Sequence, residues 1–124
     1  MDRKGIRQGN NAGLVAATAG PDLLHTLSAG KSAFIRKIMI SNFSGGNLQI
    51  QLGTLTGAGA FVALMPTILA VNGIDTEITE ENVPNVEFIT DSTAGAAGRT
   101  GNIYLQSSAV AALCLTRIEV EEIG

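Results

Sequence analysis

A chain of 124 residues has room for one ordinary domain and not for two. It is 45% hydrophobic and only 15% charged, against the roughly 25% usual in soluble domains, and its net charge is −3. That balance excludes intrinsic disorder and argues against nucleic-acid binding, which needs a basic stripe along the phosphate backbone.

In chain order, residues 1–12 are polar and punctuated by Gly5 and Gly9, with Met1 and Ile6 as their only large apolar side chains. Such a segment cannot repay its ordering entropy by self-burial, so it is expected to be an N-terminal arm that orders on a neighbouring chain. No apolar stretch of the secretory kind follows Arg3, Lys4 and Arg7, which predicts assembly in a cytoplasm. Residues 13–124 then form the expected single β-domain. Short apolar segments alternate with turn signals through it, the rhythm of a sandwich or barrel. Strands are predicted at Leu14–Thr18, Leu23–Ser28, Ala33–Ser41, Asn47–Gly53, Ala60–Leu64, Thr67–Val71, Thr76–Thr79, Val86–Thr90, Gly101–Ser107 and Leu113–Glu121.

Two strands declare their faces. In Leu48-Gln49-Ile50-Gln51-Leu52 apolar and amide side chains alternate, and in Asn102-Ile103-Tyr104-Leu105-Gln106 Ile103 and Leu105 point one way. Ile35–Ile40 is rich in β-branched residues and leads into Ser44-Gly45-Gly46-Asn47, whose glycines suit a tight turn with positive φ. A hairpin of Ala33–Ser41 with Asn47–Gly53 is therefore expected. Thr79-Glu80-Glu81-Asn82 is expected to make one helical turn with Thr79 as its cap. The fold predicted is all-β, a two-sheet sandwich or jelly-roll-like barrel of about eight strands.

The candidate chemical motifs fail on spacing. Ser28-Ala29-Gly30-Lys31-Ser32 has the tail of a phosphate loop, but its first glycine position is His25 and a strand pattern follows it. Gly57-Ala58-Gly59 lacks the third glycine of a dinucleotide fingerprint, since Val62 stands there. His25 and Cys114 are the only histidine and the only cysteine, too few for a transition-metal site, and no intrachain disulfide is possible. A triad of His25, Asp22 and a serine lacks the Gly-x-Ser-x-Gly elbow. Six acids lie between Asp75 and Asp91 without an EF-hand pattern, and read as a solvated or partner-facing surface. Four Phe, one Tyr and no Trp are few for base stacking or sugar platforms. Asn42-Phe43-Ser44 is a formal glycosylation sequon, which has no meaning without secretion. The chain is read as a non-enzyme, without cofactor or metal and without a nucleic-acid or membrane partner. No apolar run reaches the ~20 residues of a spanning helix.

Charge is polarised. Residues 1–37 hold six bases and two acids, whereas the remainder holds two bases and nine acids. Low charge and apolar content suggest a surface covered by copies of the same chain, a homo-oligomer. Arg3, Lys4 and Arg7 at one end, and Glu119, Glu121 and Glu122 at the other, are the expected partner-binding residues.

The polar arm, the glycine-, alanine- and threonine-rich β-domain, the segment Phe34–Leu52 and the closing strand Leu113–Glu121 together resemble small head decoration (cement) proteins of tailed bacteriophages. The resemblance implies a virion protein forming oligomers, often trimers, that clamp junctions of a capsid lattice with the arm laid over neighbouring subunits. A ligand- or carbohydrate-binding β-sandwich is the alternative.

Overall fold

The computed structural model describes residues 5–10 (backbone only), 21–90, 98–108 and 114–124. Within them the chain forms strands and no helix: β1 Gly5–Asn10, β2 Asp22–His25, β3 Ser32–Asn42, β4 Leu48–Leu55, β5 Phe61–Ala63, β6 Ile68–Ala70, β7 Asp75–Ile78, β8 Glu87–Ile89, β9 Ile103–Ser107 and β10 Cys114–Ile123. The predicted strand Leu14–Thr18 lies outside the described residues.

Two antiparallel sheets pack face to face without closing into a barrel. Sheet A has the order β1-β10-β3-β7, and sheet B the order β2-β9-β4-β5. Each has a fourth position split between two short strands. β7 pairs with Ile38–Ser41 of β3 and β8 with Ser32–Phe34 of the same edge. Likewise β5 pairs with Gly53–Leu55 of β4 and β6 with Leu48–Ile50. Counting each split pair once, the positions run 1-8-3-6 and 2-7-4-5, the connectivity of a jelly roll.

Alternation drives the packing. Ile35, Ile38, Ile40, Ile118 and Val120 of sheet A meet Leu48, Ile50, Leu52, Ile103 and Leu105 of sheet B, each at most 4% exposed. Burying one such side chain fully contributes roughly 1.5–3 kcal/mol. Ile35 and Ile38 are three apart, so a regular strand would put them on opposite faces. A β-bulge resolves this: Glu119 pairs with Lys37 and Val120 with Ile35, leaving Arg36 as the extra residue.

Two expectations are corrected. Ala33–Ser41 and Asn47–Gly53 do not form a hairpin. β3 lies in sheet A and β4 in sheet B, so residues 43–47 carry the chain across the core. The same apolar faces that suggested neighbouring strands serve equally when the strands face each other. The corner is held by Asn42, which is fully buried. Its Nδ2 donates to Ala70 O (2.8 Å) and Gly46 O (2.9 Å), and its Oδ1 accepts from Ser44 N (3.0 Å) and Ser44 Oγ (2.7 Å). Gly45 has φ +99°, as the turn chemistry required.

The second correction concerns the arm. Gly5–Asn10 is an edge strand on β10 of its own sheet, from Gly5 opposite Ile123 to Asn10 opposite Ile118. The polarity that suggested a free segment is no obstacle there, because an edge strand is held by its backbone ladder and keeps one side open.

The expected helical turn is a single turn in which Thr79 O accepts from Asn82 N (2.9 Å) and Val83 N (3.1 Å). The Thr79 hydroxyl accepts from Asn82 Nδ2 at 3.4 Å.

Candidate functional site

The two outer faces of the sandwich differ in charge. Asp22 is the only acidic residue on the strands of sheet B, and those strands carry no lysine or arginine. Ile103 and Leu105 face the core, so Tyr104 and Gln106 face outward, and the register carries that parity across the sheet. Leu23 lies opposite Tyr104, Gln106 opposite Gln51, and Leu69 opposite Gln49. Leu23 and Leu69 are 45% and 55% exposed. Gly53, also opposite Tyr104, admits no side chain, since a Cβ there would fall 2.0 Å from Val62 O. The result is an uncharged face of amides, one tyrosine and two exposed leucines.

Within it, Gln49, Gln51, Thr67, Gln106, Ser107 and Ser108 line a shallow depression of about 140 Å³. Its polar groups are partly committed: Gln51 Nε2 donates to Thr67 Oγ1 at 3.4 Å, and Ser108 Oγ accepts from Gln49 N at 3.0 Å.

Sheet A carries the charge. Arg36, pushed out by the bulge, donates through Nε to Glu121 Oε1 (2.8 Å) and through Nη1 to Asn85 Oδ1 (3.0 Å). Its guanidinium sits 4.7 Å from the Phe34 ring centroid, within cation–π range. Lys37 Nζ is 3.1 Å from Glu77 Oε2. At the edge of this sheet, Asp75, Glu77, Glu80, Glu81 and Glu87 are all exposed.

The buried polar chemistry lies between the sheets. His25 Nε2 and Glu122 Oε2 are 2.6 Å apart, with the residues 8% and 4% exposed. Burial alone would raise the Glu122 carboxyl, but the hydroxyl and backbone N–H of Ser28 and the His25 imidazole together hold it below the usual range. Asp22 Oδ2 is buried without a hydrogen-bond partner among the described residues. Cys114 is buried, and that burial pushes its thiol up despite a hydrogen bond with Thr116.

The predicted partner-binding residues are thus dispersed. Glu121 and Glu122 are buried and engaged by Arg36 and His25 of the same chain, because β10 runs through the middle of sheet A rather than along its surface. Glu119 is half-buried on that strand. Arg7 lies on β1, at the register position opposite Glu121. Arg3 and Lys4 fall outside the described residues. The segment Ser28–Ser32 is a turn into β3, with Lys31 N donating to Ser28 O (3.1 Å), and Gly57–Gly59 lies in the β4–β5 hairpin loop. No group of three His, Cys, Asp or Glu suited to a metal occurs among the described residues.

Sequence reasoning missed Glu122 as the partner of His25, since 97 residues separate them. Asn42 had a local signal, because Asn-x-Ser is also a side-chain-to-backbone turn motif. Comparison with protein-family models, curated proteins and solved structures gave no match.

Proposed function

We propose that this chain is a non-catalytic structural protein that self-associates and docks on a protein lattice, as the head decoration proteins it resembles do on a capsid. The observation that carries this reading is the uncharged outer face of sheet B, with Leu23, Leu69 and Tyr104 set among glutamines. Protein interfaces are depleted in charge at their centres, and this face shares that lack of charge, with Tyr104 as the aromatic residue set in it. Jelly-roll connectivity, common in viral coat domains, adds support at the level of fold alone. The test has two parts: sedimentation velocity of the purified chain at tens of micromolar, and electron microscopy of particles from its source. Oligomers and a regular particle-bound density are expected. A monomer absent from any lattice overturns the reading.

A second reading, a carbohydrate-binding sandwich, is favoured by the amide-lined depression around Gln51 and Gln106. Titration with oligosaccharides, followed by amide chemical shifts, separates the two. Saturable shifts confined to Gln49, Gln51 and Gln106 would favour the sugar.

A further inference from the structure

Among the described residues sheet A ends in β1 on one side and in β7 and β8 on the other, and the stretches of sequence that contain these strands differ in charge. Among the described residues β1 pairs only with β10, and β7 and β8 pair only with β3. Residues 1–10, which include β1, hold three bases and one acid. Residues 75–90, which form the other edge, hold five carboxylates and no base. Lys37 engages Glu77, and Glu80 is engaged as well, so the exposed Glu81 and Glu87 are the carboxylates this edge offers to a partner. Beneath this acidic edge an open slot of about 210 Å³ passes between the sheets, lined by Ile38, Met65, Ile68, Ile78, Asn82 and Pro84. It is smaller than the ~300–1,000 Å³ of small-molecule pockets and apolar at its floor.

Resting on the self-association reading above, we propose that the β7–β8 edge of one molecule takes the β1 edge of a second copy, head to tail. Strand direction already permits it. β1 runs antiparallel to β10, β10 to β3, and β3 to β7 and β8. A second copy that continues the sheet therefore brings its β1 antiparallel to β7, keeping one ladder type throughout. Charge selects this pairing over its alternatives. Two acidic edges repel, whereas the basic N-terminal segment meets carboxylates at every copy. The contact joins unlike surfaces, so it closes into a ring or continues as an open array according to the rotation between copies.

The competing account is that the acids merely guard an exposed edge against pairing. The two accounts predict opposite signs. Sedimentation equilibrium of the full chain in low and moderate salt is compared for wild type, Glu81→Lys/Glu87→Lys, Arg3→Glu/Lys4→Glu, and the chain carrying all four changes. Glu81 and Glu87 are exposed, so the fold should tolerate their reversal, and circular dichroism checks it. Each double variant is expected to weaken association at least about tenfold, and the quadruple variant to restore it to within about threefold. Association that is unchanged or stronger in Glu81→Lys/Glu87→Lys, or no recovery in the quadruple variant, overturns the edge contact while leaving self-association standing. A monomeric wild type overturns both.

Discussion

His25 on β2 and Glu122 on β10 join the two sheets through one contact, Nε2 to Oε2 at 2.6 Å, made by the outer strand of sheet B and an inner strand of sheet A. The apolar core holds the sheets together without direction. This pair fixes how they sit at one end.

The first prediction concerns acid. The Glu122 carboxyl is held below its ordinary value in the folded chain, so folding favours the ionised form. Its contribution is complete above the unfolded value near 4.5 and is lost as pH falls through the lower folded value. Glu122→Gln should therefore flatten the acid limb of a stability–pH curve measured by urea unfolding. His25→Ala, which leaves the buried Glu122 carboxylate with Ser28 but without its imidazole partner, should cost about 2 kcal/mol at neutral pH. An unchanged acid limb in Glu122→Gln would remove the pair from the account.

The second concerns register. Ile50 is fully buried between Ile68 and Ser107, whereas Gln49 is exposed on the same strand. Ile50→Asp should lose several kcal/mol, on the order of the whole stability of a domain. Gln49→Asp should stay within about 0.5 kcal/mol of wild type. Thermal midpoints measured side by side decide it, and equal tolerance would mean the faces are reversed.

The third concerns the corner at Asn42. Removing its amide in Asn42→Leu takes away the donor to the buried carbonyl of Ala70 and the side-chain acceptor of the Ser44 N–H. A loss of about 3 kcal/mol is expected, with faster amide exchange at Ser44 and Gly45. The conservative Asn42→Asp should fare little better, since a carboxylate cannot donate to two carbonyl oxygens.

The fourth concerns the uncharged face. Leu69→Glu changes an exposed position and should leave stability within about 0.5 kcal/mol. If this face docks on protein, the same change should weaken lattice binding at least about tenfold in a co-sedimentation assay.

The fifth concerns β1. Deleting residues 1–10 removes the ladder that covers one side of β10, so amide protection across Ile118–Ile123 should fall. Protection equal to wild type would mean that β1 is dispensable to the sheet.

Much of this architecture was legible in the sequence, because period-two alternation survives tertiary context when one face is buried. Leu48, Ile50, Leu52, Ile103 and Leu105 announce their burial directly. What was illegible is non-local. Alternation says that a strand has an inner face, but not whether its neighbour lies beside it or across the core, and so β3 and β4 were paired wrongly. The bulge at Arg36 breaks the period just where the reading needed it. His25 and Glu122 carry no shared local signal. The contrast between a charged sheet A and an uncharged sheet B was hidden because strands of the two sheets alternate along most of the chain; only the net imbalance between its ends showed.

The placement of β10 has a consequence for how the protein is made. It lies between β1 and β3, and it is the last strand of the ten. While a ribosome is still adding residues 108–123, sheet A lacks its middle strand, and β1 and β3 have nothing to join them. Folding of this domain must therefore wait for release of its final segment from the exit tunnel. Until then the apolar faces of β3, β4 and β9 lack the strand whose Ile118 and Val120 complete the core, and slower translation lengthens that exposure.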